Sequence, residues 1–270
     1  MQPQILNFSD GTQVIFTTPS PVIAGETLVL PEFDAEGNSS ISGLQLKREI
    51  AREKELFKVS LRITNNRTTP VRLDKLIVMD ISGPGSCRVA DCGVADWSVM
   101  RLARHKNDLP GPFRPSTPDN AMRDAVFISA EIVAGNGISW SDFDSPDVIL
   151  PHEFHCDPAI IITPDQNRGR EALFIGFAGQ TLHMDDIVLT TTADRQKLDH
   201  IQVIAEFDHI TLNPGESRWT HEAIVEFGED CDSLMTNHIE RIVNLYGSRR
   251  IREEARNVYC TWYFYSESGR

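Results

Sequence analysis

The densest run of ligand-type side chains in this 270-residue sequence is His152-Glu153-Phe154-His155-Cys156. On a strand, His152 and Phe154 share one face, and Glu153 and His155 share the other. The two histidines then point apart, unlike the pair in a helical His-Glu-x-x-His zinc motif. Surface polarity is the plainer reading. His183 and His209 are distant ligands that no spacing ties to the run, so no metal is assigned. Serine, histidine and aspartate triads can be drawn from any chain this long. No Gly-x-Ser-x-Gly elbow presents a serine, so they are discarded. Phosphate cradles of the P-loop or Gly-x-Gly-x-x-Gly type are missing from the sequence, and no cofactor is expected. Trp97, Trp140, Trp219 and Trp262 are the remaining chemically distinctive groups. An indole offers a flat apolar face and one N–H donor.

Composition narrows the classes. Twenty-six Lys and Arg against 39 Asp and Glu leave a formal charge of −13. Such a surface repels phosphate backbones and anionic lipid, so neither nucleic acid nor membrane is expected as a partner. No run of 18 apolar residues could span a bilayer, and Met1 to Thr17 lacks the parts of a secretory signal. The five cysteines, Cys87, Cys92, Cys156, Cys231 and Cys260, include no Cys-x-x-Cys pair. An odd count at low density fits a reducing cytoplasm better than a disulfide framework, with a Cys87–Cys92 bridge as the minor alternative. The sequons at Asn38 and Asn66 carry little weight without a signal.

The elements that must position these groups read as strands up to about Phe227. Leu56 to Ile63 alternates strictly, with Phe57, Val59, Leu61 and Ile63 on one face. Val71 to Ile81 follows after Asn65-Asn66-Arg67-Thr68-Thr69-Pro70, as in a hairpin with a longish loop. Ala125 to Val133, Ala159 to Thr163, Ala172 to Phe177, Ile187 to Thr192, Ile201 to Phe207 and Trp219 to Phe227 continue the series, with Asn213-Pro214-Gly215-Glu216 as the turn before the last. Lys106 to Asn120, with four prolines, reads as a surface loop. Strands without intervening helices predict antiparallel sheets packed face to face, in a large sandwich. From Asp230, Leu234, Met235, Ile239, Ile242, Val243 and Tyr246 recur at helical spacing, with Asp232 or Ser233 as N-cap and Gly247 as C′. Val258-Tyr259-Cys260-Thr261-Trp262-Tyr263-Phe264-Tyr265 is apolar on both alternating faces. It reads either as the first strand of a parallel α/β domain or as an edge strand of the sandwich.

Four stretches, in order, resemble glycoside hydrolase family 36, the α-galactosidase and raffinose-pathway type of clan D. Cys92-Gly93-Val94-Ala95-Asp96-Trp97-Ser98 is similar to that family's Gly-Tyr-Gln-Ser-Trp-Ser segment. Ala172 to Phe177 resembles its Leu-Leu-Val-Gly-Phe strand. Leu212 to Glu216 resembles its Pro-Gly-Glu turn, and Val258 to Tyr265 its barrel-opening Gly-Trp-Cys-Ser-Trp-Tyr-Tyr-Tyr strand. Asn257-Val258-Tyr259 stands in place of Pro-x-Gly-Trp, and Asp96 in place of serine.

The resemblance implies a galactose-mutarotase-like β-supersandwich over 1–228, a linker helix and connector over 229–256, and the first strand of an otherwise missing (β/α)8 barrel over 257–270. It implies a retaining enzyme whose two aspartates lie on later barrel strands, so no catalytic residue is assigned here. It makes Trp262 a sugar contact, against the plainer reading of a core tryptophan. It offers Trp97 and Asp96 as closing a pocket on the barrel, against an interface anchor. The implied partners are an α-galactoside or related oligosaccharide, a C-terminal barrel and a second copy in a homo-oligomer. The rival is a free-standing carbohydrate-binding sandwich using Trp140, Trp219 and Trp97 as platforms. A third reading is a mutarotase-like enzyme needing a convergent histidine and carboxylate, such as His183 with Asp185 or Glu222.

Overall fold

The computed structural model describes residues 3–17, 21–23, 26–27, 32–101, 111–117, 152–156, 158–164, 171–179 and 182–247. Its strands are β1 (Gln4–Asn7), β2 (Gln13–Phe16), β3 (Pro21–Ile23), β4 (Glu26–Thr27), β5 (Asn38–Ile41) and β6 (Leu44–Glu53). Then come β7 (Leu56–Asn65), β8 (Val71–Ser82), β9 (Cys87–Arg88), β10 (Trp97–Arg101), β11 (Gly111–Phe113) and β12 (Glu153–Cys156). The series closes with β13 (Ala159–Pro164), β14 (Ala172–Phe177), β15 (Met184–Thr191), β16 (Leu198–Leu212), β17 (Ser217–Trp219) and β18 (Ala223–Gly228), followed by helix α1 (Cys231–Tyr246).

Two antiparallel sheets form the sandwich. Among the described residues one has nine strands in the order β11-β10-β13-β14-β18-β7-β6-β5, with β17 also on β7; the other has six, β12-β15-β16-β8-β3-β4. A three-stranded sheet, β1-β2-β9, completes the fold. The inner faces meet in one core. Val59, Leu61, Ile63, Leu173 and Ile175 of the nine-stranded sheet share it with Leu73, Val78, Ile187, Val203 and Phe207 of the six-stranded sheet. β7 shows why: every second side chain is buried, as the period of two requires.

β14 departs from alternation and is buried at all six positions. Its outer side chains, Ala172 and Phe174, lie in a second apolar cluster with Ile161, Ile224 and Leu234, the last contributed by α1. The helix thus covers the outer face of the nine-stranded sheet. Asp230 caps it, accepting the Ser233 N–H at 2.7 Å. The cap therefore stands earlier than the Asp232 or Ser233 expected from sequence. Gly247 at φ 76° ends it as expected.

Several expectations need correction. β7 and β8 are not a hairpin: β7 pairs with β6, β17 and β18, while β8 pairs with β16 and β3. The intervening loop crosses between sheets. The buried Asn65 amide holds it, donating to Thr69 O at 3.0 Å and Leu212 O at 2.8 Å. Trp219 to Phe227 is two strands, broken at Thr220, whose hydroxyl accepts the Leu61 N–H at 3.0 Å. Within the supposed loop at 106–120, Gly111–Phe113 is a strand paired to Val99–Arg101. Ala125 to Val133 and residues 257–270 lie outside the described residues.

Candidate functional site

Trp97 was expected in a polar turn. Instead it opens β10, where Trp97 pairs with Pro164, and it is 1% exposed. Its Nε1–H donates to Cys92 O at 3.0 Å, across the short 3-10 turn Val94–Asp96. That carbonyl is set by a tight turn in which Ala90 (φ 48°) and Asp91 (φ 60°) are both left-handed. Val89 and Cys92 bridge across it, and Ala90 N donates to Thr12 Oγ1 at 3.0 Å. Left-handed geometry at two non-glycine residues costs energy and needs support. The tryptophan, the bridge and Thr12 supply it. Buried this deeply, the indole cannot stack on a ligand. It holds the segment that presents Asp96, which is half-buried at the end of the turn. Trp262 and Trp140 lie outside the described residues, and Trp219 is 37% exposed beneath the Arg62 guanidinium at 5.0 Å.

The histidine and carboxylate of the mutarotase-like reading do meet. His183 Nδ1 lies 2.9 Å from Asp185 Oδ1, with both side chains wholly buried. Phe177 and Phe207 flank the imidazole at 5.0 and 5.5 Å. Its nitrogens are already engaged, however. Nε2 accepts the His221 backbone N–H at 2.9 Å, so Nδ1 carries the proton and faces Met184 O at 3.0 Å. An imidazole so engaged fastens two loops and cannot take a proton from a substrate. His221 repeats the device, its Nε2 accepting the Leu182 N–H at 3.0 Å. Burial, and then the neighbouring His183, push the His221 pKa down to about 4. Glu222 stands apart, half exposed and 4.0 Å from Lys58.

The run at 152–156 behaves as its period predicts: Phe154 and Cys156 turn inward, Glu153 and His155 outward. His155 is fixed between two carboxylates, with Nδ1 2.8 Å from Asp186 and Nε2 2.8 Å from Glu153. The hydrogen bond to Asp186 is the main cause of a pKa raised to about 9, against the opposing effect of burial. The imidazolium staples β12 to β15. His209 pairs instead with Asp74, and His183 with Asp185, so the three histidines stand in separate places.

Sequence reading missed a third cluster, under α1. Glu226 of β18, buried, accepts Asn237 Nδ2 at 3.0 Å and Arg241 Nη2 on its other oxygen. His238 is 2% exposed and packs on Phe174 at 4.8 Å. The signal was available: His238 follows Leu234 by one helical turn, and these two are the buried residues of the helix. Much of the apolar stripe drawn from sequence faces out, with Ile239 53%, Val243 39% and Tyr246 47% exposed.

The architecture thus defines a two-layer antiparallel sandwich with a docked C-terminal helix. No family model and no curated protein matches the chain. Solved structures do. The galactosidase domain of the alpha-galactosidase-sucrose kinase AgaSK is 12% identical over 88% of this chain and 31% of that one, at TM-score 0.44. The GH36 alpha-galactosidase AgaA from Geobacillus stearothermophilus, in complex with 1-deoxygalactonojirimycin, is 14% identical over 92% and 32%, at TM-score 0.43. A galactose mutarotase-like protein from Clostridium acetobutylicum is 9% identical over 84% and 64%, at TM-score 0.37. The chain spans about a third of the length of the galactosidases it matches. Among the described residues no helix is long and apolar enough to cross a membrane.

Proposed function

We propose that this chain is the non-catalytic N-terminal part of an α-galactosidase-like retaining glycoside hydrolase. It would support a barrel, shape the mouth of the active site and contribute contacts between subunits. The observation that carries the reading is the order of the parts. A six-on-nine antiparallel sandwich runs through β18 directly into a helix that docks on its outer face. Three of the family-like segments, at 92–98, 172–177 and 212–216, lie along that frame in the family's order.

Three of the groups singled out by type are engaged in structure. His183 is held between loops, His155 sits between carboxylates, and Trp97 lies in the core. In this reading Asp96 lines the mouth on a turn that Trp97 holds in place. Trp262 contacts the sugar in the complete protein. The engaged nitrogens of His183 weigh against the mutarotase-like alternative.

The stereochemistry of hydrolysis by the protein extended through its reading frame tests the proposal. Proton NMR of the first-formed product should show the α-anomer from an aryl α-galactoside. A β-anomer, or no hydrolysis of any α-galactoside, would overturn it. Trp262→Ala in that protein should raise KM or abolish turnover at unchanged thermal stability.

A further inference from the structure

The described residues form two separate apolar clusters. The inner one joins the sheets, while the outer one comprises Ala159, Ile161, Ala172, Phe174, Ala178 and Ile224 beneath Leu234 of α1. Lifting α1 therefore disturbs the outer cluster, and the Tyr246 hydroxyl beside Gly179, without opening the inner one. The helix is closely seated: a Cβ on Gly228 would stand 2.8 Å from Leu234 Cδ2. In this contact lies His238, its Nδ1 buried with no hydrogen-bond partner among the described residues. The charge acting on it is Arg241, one turn along the same helix, itself paired with Glu226 of β18. Each Glu226 oxygen accepts a hydrogen bond, one from Asn237 and one from Arg241. β13 and β14 bring Ala159, Ile161, Ala172 and Phe174 to the contact.

We infer that α1 is an acid-released strap: protonation of His238 lifts it from the nine-stranded sheet while the sandwich stays folded. A second positive charge beside Arg241, packed on Phe174, has no acceptor at Nδ1 among the described residues. The lifted helix lets the ring hydrate and take its proton. Burial, with Arg241 adding to it, already holds the His238 pKa down to about 4. The sign follows. The docked state binds fewer protons between the ordinary histidine value of 6.5 and about 4, so docking weakens as pH falls through that window and changes no further below it. At tenfold per unit, the release constant rises on the order of 10²-fold. Release would bare the outer cluster and free both flanks of the helix. It holds whether or not the chain serves a glycoside hydrolase.

Hydrogen exchange of the whole 270-residue chain, corrected for intrinsic rates from pH 7 to pH 4, reads this out. Protection over 231–246 should fall on the order of 10²-fold while that of β7 and β16 holds. His238→Phe should remove the step, and Glu226→Gln should keep it. The inference is overturned if helix and β16 lose protection together, if His238→Phe keeps the step, or if Glu226→Gln alone removes it. Should His238→Phe not fold, NMR titration of the wild-type ring decides. A midpoint well below 6.5 that coincides with helix release supports the strap, and a ring that titrates with the helix still protected refutes it.

Discussion

Replacing Trp97 by alanine separates an architectural role from a ligand-binding one. The side chain is 1% exposed and donates to the Cys92 carbonyl at 3.0 Å. A tryptophan removes roughly 200 Å² from water, worth about 5 kcal/mol at ~25 cal/mol per Å². Measured truncations of buried aromatics fall at about 3–5 kcal/mol. The Cys92 carbonyl keeps the Val89 N–H at 3.1 Å, so the lost hydrogen bond adds no more than about 1 kcal/mol. Trp97→Ala should therefore lose about 4–5 kcal/mol, a large share of the ~5–15 kcal/mol that holds a domain together. Trp97→Phe keeps most of the apolar area, loses the N–H and should cost about 2 kcal/mol. Urea titrations followed by far-UV circular dichroism give both values, with unchanged slopes showing that only stability moved. A Trp97→Ala chain within ~1 kcal/mol of wild type would refute the burial reasoning and return the indole to a surface pocket.

Three further outcomes follow from the geometry. A Cβ on Gly176 would collide with the Ala159 side chain and stand 2.9 Å from Pro158 O, so Gly176→Ala should cost about 1–3 kcal/mol in urea. Asp230→Ala removes the α1 cap and should cost about 1 kcal/mol, seen first as faster exchange in the helix amides. His155 has a folded pKa of about 9 against 6.5. Its contribution is complete below 6.5 and is lost as pH rises through 9. Because the side chain is 40% exposed, solvent screening leaves at most about 1 kcal/mol. The fall in urea midpoint between pH 6.5 and 9.5 should vanish in His155→Gln.

What was legible in the sequence was local and periodic. Leu56 to Ile63 declared its buried face, and Glu153 and His155 declared a shared outer one. Gly215 and Gly247 marked a turn and a helix end at positive φ. Sheet membership was not legible. A five- or six-residue loop serves a hairpin and a crossing equally well, and the crossing at Asn65 depends on Leu212, far along the chain. The same limit hid the partner of His155, because Asp186 reaches it only through the pairing of β12 with β15. Trp97 was misplaced because its neighbours Asp96 and Ser98 are polar, whereas its burial is decided by β13 beside it. For α1 the apolar stripe pointed to the wrong flank. The seat is marked by Leu234 and a histidine, and burial of that histidine depends on Phe174 of another element.

The proposal at stake is that these residues build a frame for reactive groups carried by a further domain of a longer protein. Steady-state hydrolysis of an aryl α-galactoside, by this chain and by the protein extended through its reading frame, tests it most directly. The account predicts no turnover above background from the chain and multiple turnover from the extended protein. Sustained hydrolysis by the 270 residues alone would contradict it.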